Sequence, residues 1–189
     1  MAKRTQSSRD RFVEMAAKLF SRHGYAAVGL NRIIEKSGAP KGSLYHHFPD
    51  GKEQLAAEAV AWAAESFTET LRAEIDAAPS VAVAIWRTAD RIAGWLEKSG
   101  FRDGSPLTIV AVETGAFNAA LREACRQGYA QWAAILSAAL LAEGRSEQRA
   151  EARADLILAA FEGAMILCRV QASGEPLRGI GRQLEEILQ

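Results

Sequence analysis

Apolar residues recur at three- and four-residue intervals along the chain, and no stretch alternates with period two over β-branched residues, so the pattern predicts helices throughout. Phe12, Ala16, Leu19 and Phe20 form the apolar side of a first helix that begins near Ser7, where Ser7 and Asp10 stand at capping-box spacing, and ends at Gly24. A short second helix carries Leu30, Ile33 and Ile34 and stops at Gly38. Ala39-Pro40 then forces a turn before a third short helix over Lys41 to Phe48. Two short helices joined by a Gly-containing turn make a helix-turn-helix pattern. Asp50, with Glu53 three residues on, is expected to cap a long fourth helix whose apolar side includes Leu55, Ala59, Trp62 and Phe67 and which ends between Asp76 and Pro79. Further helices are expected over Val81 to Lys98, Leu107 to Thr114, Asn118 to Glu143, Ser146 to Ala172 and Pro176 to Leu188. The expected fold is all-α: an N-terminal three-helix helix-turn-helix domain over residues 1–55, its motif at about 30–49, followed by a larger helical bundle over 56–189.

Composition supports a globular chain, since 49% of the 189 residues are hydrophobic. Folding at this length hides roughly 70% of the unfolded surface, enough for a core without covalent staples. The net charge is zero, but it is unevenly distributed. Residues 1–55 hold ten Lys and Arg, including Lys3 and Arg4, against five Asp and Glu, a balance of +5, and the remainder carries −5. Such a split places any polyanion at the first segment, because an acidic surface repels one. Charged residues follow Met1-Ala2-Lys3-Arg4 in place of a secretory signal, so a cytosolic, cytoplasmic protein is expected. The apolar stretch Leu156 to Cys168 is shorter than the ~20 residues of a membrane span, and no membrane partner is expected. Cys125 and Cys168 lack metal-ligand or redox spacing and read as small core residues. No GxSxG, HExxH or P-loop occurs, which argues against an enzyme and calls for no cofactor.

On the third short helix Leu44 and Phe48, at i and i+4, must pack inward. Lys41, Gly42, Ser43, Tyr45, His46 and His47 remain. Cations, hydroxyls and ring donors near a helix N-terminus suit an anion such as phosphate, and a helix so decorated fits a DNA major groove. The adjacent histidines point about 100° apart and have no third ligand nearby, which disfavours a metal. His47 is expected to pack or hydrogen-bond. A solvated surface helix is the alternative for any of these residues taken singly.

These residues, Gly24-Tyr25, Leu30 to Ser37, Ala39-Pro40-Lys41-Gly42-Ser43-Leu44-Tyr45-His46-His47-Phe48 and Lys52-Glu53-Gln54-Leu55, resemble the TetR family of bacterial transcriptional regulators. The wording around Pro40 to Pro49, the extra residue in Pro49-Asp50-Gly51 and the stretch Ser105-Pro106-Leu107 resemble more narrowly its LmrA/YxaF-type subgroup of multidrug-responsive repressors. The resemblance implies that Lys41 and Gly42 open the recognition helix, that Tyr45 and His46 touch phosphates or bases, and that Lys52 binds phosphate from the start of the fourth helix. With Ser43 and Arg32 these form the expected DNA-binding set. Many members have Thr or Ser just before the second helix, where Val28 and Gly29 stand here.

The second domain holds all four tryptophans, Trp62, Trp86, Trp95 and Trp132, alongside Phe67, Phe101, Phe117, Tyr129 and Phe161. Singly they read as core filler; together they could line a cavity for an organic effector. The resemblance implies such a pocket and a homodimer through the last two long helices. Trp62, Trp86, Phe117 and Trp132 are the expected effector contacts, with Glu113 as the polar one; the other reading of Glu113 is a carboxylate facing solvent or capping a neighbouring helix. Leu156, Ala159, Ala160, Gly163, Ala164 and Leu167 form a small-residue surface for close helix approach, while Asp155, Glu162 and Arg169 share a face at seven-residue spacing. The expectation is a dimeric, ligand-responsive repressor that leaves a palindromic double-stranded DNA operator when a small hydrophobic or aromatic effector binds. The alternative is a constitutive DNA-binding or architectural protein whose bundle only dimerises.

Overall fold

The computed structural model describes residues 6–189, so Lys3 and Arg4 of the basic segment lie outside the described residues. Among those described it contains helices and no strand. The helices are α1 (Ser8–His23), α2 (Leu30–Ser37), α3 (Lys41–His47), α4 (Lys52–Ala77), α5 (Val81–Lys98), α6 (Pro106–Thr114), α7 (Ala119–Ala142), α8 (Glu147–Gln171) and α9 (Glu175–Leu188). The chain divides into two compact units, one made of the residues up to Ala63 with Ser105–Gly128, the other of Ala64–Gly104 with Tyr129–Gln189.

Helix ends follow local chemistry. Ser7 caps α1 by accepting the Asp10 N–H at 3.1 Å, Ser80 caps α5 through Val83, and Ser105 caps α6 through Thr108 with Pro106 at the helix start. At α4 the geometry shifts by one residue from the expected Asp50 and Glu53 pair. The helical ladder opens at the Gly51 carbonyl, which accepts the Leu55 N–H at 3.2 Å, and Gln54 Oε1 accepts the Asp50 N–H at 3.2 Å. Gln54 rather than Glu53 thus reaches back over the turn.

In the first unit α1 packs against α2, α3 and α6. Phe12, Phe20, Ile33, Leu44, Phe48 and Leu55 are fully buried, and the rings of Phe12 and Phe48 meet edge to face at 6.3 Å. Edge-to-face geometry lets the positive rim of one ring meet the negative face of the other. Cys125 is buried here, its thiol pushed up to about 11 by burial.

In the second unit α9 packs along both α5 and α8. Its core gathers Leu71, Ile85, Ala89, Leu136, Leu140, Ile157, Phe161 and Leu184. Gly181 lets α9 approach α5 closely: a Cβ there would overlap the Ala89 side chain. Ala164, expected on the outer surface of α8, lies inward with Ala93, Leu96, Cys168 and Leu177. Leu156, Ala159, Gly163 and Leu167 remain outward, joined by Ile166 and Val170.

Candidate nucleic-acid interface

The presentation of α3 depends on how its inner side is tied down. Leu44 and Phe48 are completely buried, the Phe48 N–H donates to Leu44 O at 2.8 Å, and His47 Nε2 lies 2.9 Å from Ser8 Oγ at the start of α1. Arg11 of α1 donates to the Gly38 carbonyl at 3.2 Å, which fixes the turn between α2 and α3. Once 44, 47 and 48 face inward, helical geometry leaves 41, 42, 45 and 46 on the other side. All four are exposed, Tyr45 by 52% despite its large ring. Ser43 is half-buried, and its hydroxyl donates to Pro40 O at 2.7 Å, closing the first turn of its own helix. Arg32 is exposed on α2 with Nη2 2.9 Å from His23 Nε2; guanidinium has no acceptor, so the imidazole nitrogen accepts. Gly29 caps α2 without a side-chain bond, as expected of a glycine at a position where hydroxyl residues are common.

Lys52 behaves differently from these surface cations. It is half-buried at the start of α4, its ammonium 4.1 Å from the centroid of the Tyr25 ring, close enough for a cation–π contact. Burial lowers its pKa, and the negative charge of Glu113 opposes that effect. Tyr25 packs edge to face on Phe20 at 5.4 Å, and burial, with the nearby Glu53 charge, raises its phenol pKa. Glu113, at the end of α6, accepts the Ala26 N–H at 2.7 Å. Gly24, which ends α1 at φ +85°, leaves room for that carboxylate, because a Cβ there would overlap Glu113 Oε1. Tyr25, Ala26 and Asn118, whose amide donates to Glu53 Oε2 at 2.5 Å, are parts of this junction that sequence reasoning did not assign; Gly24-Tyr25 ahead of α2 was its only visible signal.

The expected effector contacts fall in different surroundings. Within the first unit Trp62 is 40% exposed and lines a cleft of about 290 Å³ with Arg9, Asp10, Val13, Glu58 and Ala61, whereas Glu113 sits at the α1–α2 turn. Phe117, between α6 and α7, is 79% exposed. Within the second unit Trp86 is partly exposed on α5, and Trp132 is buried. Phe67 and Tyr129 stand edge to face on Trp132 at 4.8 and 5.4 Å, and its indole N–H donates to Ala64 O at 3.0 Å. Tyr129 Oη donates to Glu162 Oε1 at 3.0 Å, placing a half-buried carboxylate from the mostly apolar α8 beside this aromatic cluster. Of the other residues at its seven-residue spacing, Arg169 donates to Arg102 O at 3.3 Å.

Residues 12–59 match the model of bacterial regulatory proteins of the tetR family, and residues 81–183 match the C-terminal domain of LmrA/YxaF-like transcriptional regulators. The chain belongs to the TetR family. Within it, this regulator is 35% identical over 181 residues to the HTH-type transcriptional regulator LmrA of Bacillus subtilis, covering 96% of each chain. It is 32% identical over 177 residues to YxaF of the same organism, covering 94% of this chain and 93% of that one. A TetR transcriptional regulator from Chloroflexus aurantiacus superposes with a TM-score of 0.79 at 31% identity, covering 95% of this chain and 92% of the other. TetR regulators bind DNA, so this family member is a DNA-binding transcriptional regulator and not an enzyme. No helix among the described residues is long and apolar enough to cross a membrane.

Proposed function

We propose that the protein is a dimeric, cytoplasmic repressor that occupies a palindromic operator and leaves it when a small hydrophobic or aromatic molecule binds the C-terminal domain. The observation that carries the DNA contact is the outer side of α3. Lys41, Gly42, Tyr45 and His46 stand exposed while Leu44, His47 and Phe48 anchor the helix to α1. Gly42 and Ser43, the short residues at the helix start, approach base edges, Tyr45, His46 and Lys41 reach phosphates, and Lys52 and Arg32 add backbone contacts from the flanking helices. Effector recognition centres on Trp132 with Phe67 and Tyr129, where an edge-to-face aromatic cluster suits a hydrophobic or aromatic molecule and Glu162 supplies one polar group. Thr68, on the same helix as Phe67, is fully buried with no partner for its hydroxyl, a further polar group in this unit that a ligand can satisfy. Trp62, Trp86, Glu113 and Phe117 are secondary candidates for ligand contact.

A duplex selected from random DNA by the full-length protein provides the operator probe. Tyr45→Ala and Lys52→Ala are expected to weaken its binding, each lost phosphate contact making the salt dependence shallower by about one. Unchanged affinity in both variants removes the DNA assignment. A panel of hydrophobic and aromatic compounds is expected to change tryptophan fluorescence and release the duplex, with the fluorescence response reduced in Trp132→Phe. No response from any compound, with duplex binding unaffected, favours the constitutive DNA-binding reading.

A further inference from the structure

Lys52 is an expected DNA contact whose own charged group rests on a residue far away in sequence. Its ammonium rests on the Tyr25 ring, and Tyr25 belongs to the turn between α1 and α2, within which the Val28 N–H donates to the Tyr25 carbonyl at 3.3 Å. The turn is held from α6, where Glu113 Oε2 accepts the N–H of Ala26, the residue next to Tyr25. The same carboxylate fills the space left by the missing side chain of Gly24. Four residues after α6 ends, Asn118 donates to Glu53, the neighbour of Lys52, at 2.5 Å. The segment 113–118 therefore touches both sides of the Tyr25–Lys52 contact, all within the first unit.

We infer that Glu113 is a positioning residue for DNA binding: it holds the 24–26 turn, and through the Tyr25 ring it sets the Lys52 ammonium where operator phosphate is met. The charge of Glu113 also helps Lys52 keep its proton against the effect of partial burial. Drawing the end of α6 away from the turn removes the acceptor from Ala26 and the support from Tyr25 together. Lys52 then returns to the conformational freedom of an ordinary long side chain, and its phosphate contact must bear the cost of ordering it. The inference rests on the Lys52 phosphate contact proposed above.

The test compares Glu113→Ala, Glu113→Gln, Tyr25→Leu, Lys52→Ala and the Glu113→Ala/Lys52→Ala double variant of the full-length protein on the selected duplex. Salt is varied, and each variant is measured below its own melting transition by circular dichroism. Glu113→Ala is expected to lose about tenfold in affinity, as for a lost hydrogen bond to a charged group, with a salt slope shallower by about one. Glu113→Gln keeps a carbonyl acceptor for Ala26 and recovers most of the affinity. Tyr25→Leu keeps apolar packing on Phe20 but lacks the π face, and loses affinity as Glu113→Ala does. The double variant is expected to bind no worse than Lys52→Ala alone by more than about twofold, because both act through one contact. Wild-type affinity and slope in Glu113→Ala overturn the inference, as does a loss that adds in full to that of Lys52→Ala. Wild-type affinity in Lys52→Ala instead overturns the phosphate contact itself, and the Glu113 route with it.

Discussion

At the residue scale Gly24 is constrained twice over, by its backbone and by its neighbour. Its φ of +85° with ψ of 157° lies in a region open essentially to glycine, and its missing Cβ makes room for Glu113. Gly24→Ala imposes backbone strain of about 1–3 kcal/mol and pushes the carboxylate off Ala26, so chemical denaturation is expected to show a loss of at least that strain. An unchanged denaturation midpoint would show that the turn tolerates both changes. The reason for this glycine was only half visible in the sequence. A helix stop at Gly24 follows from local chemistry, but its second duty depends on a carboxylate 89 positions later, and no local pattern encodes such a pairing. The same gap separates the candidate contacts on α3, which occupy one short helix and follow from subtracting Leu44 and Phe48, from the Tyr25–Lys52–Glu113 junction, assembled from three segments. Trp62 is a different case. Its spacing with Leu55 and Ala59 reads as core, yet it is 40% exposed beside a cleft, because helical period alone does not say how far a neighbouring helix extends.

At the element scale breakers and caps located nearly every helix within a residue or two, since Ser, Gly and Pro act on the backbone beside them. How the helices pair was not legible, because several apolar faces of similar width can satisfy one another. The α5–α9 pairing rests on such unseen detail. Arg178 reaches Asp90 at 2.8 Å and Glu97 at 2.6 Å from the first turns of α9, where Gly181 allows close contact. Hydrogen bonds from Arg178 hold the Glu97 carboxyl below its ordinary value of 4.5. The folded state thus takes up the Glu97 proton less readily than the unfolded chain. The stabilisation is complete above that value and is lost as pH falls below it, through the lower folded-state pKa. Thermal melting of Glu97→Gln is expected to lie below wild type at neutral pH, with the gap closing as the solution is acidified below pH 4.5. The pair is exposed, so the gap is small and narrows with added salt. A gap that stays constant across this range assigns the effect to packing.

At the scale of the whole molecule the zero net charge and the outer surface of α8 bear on the same question, whether one chain suffices. The +5 of the first 55 residues matches a segment that meets DNA, but a single basic head covers only half of a palindromic site. Leu156, Ala159, Gly163, Ile166, Leu167 and Val170 recur at three- and four-residue steps along one exposed side of α8. Val170 is 80% exposed, Ile166 57% and Leu167 51%, a contiguous apolar strip of the kind that marks an interaction surface. Ala159 and Gly163 within it permit close backbone approach, and a two-fold partner would lay the same strip against itself. Because these side chains face away from the unit's own core, charging one leaves that core intact. Val170→Glu is therefore expected to keep the helical circular dichroism signal, halve the mass seen by sedimentation equilibrium, and bind the selected duplex far more weakly, since each half-site must then be filled independently. A variant that retains the dimer mass rejects this side of α8 as the interface. A monomeric variant that binds the duplex as tightly as wild type rejects the coupling of dimerisation to operator occupancy.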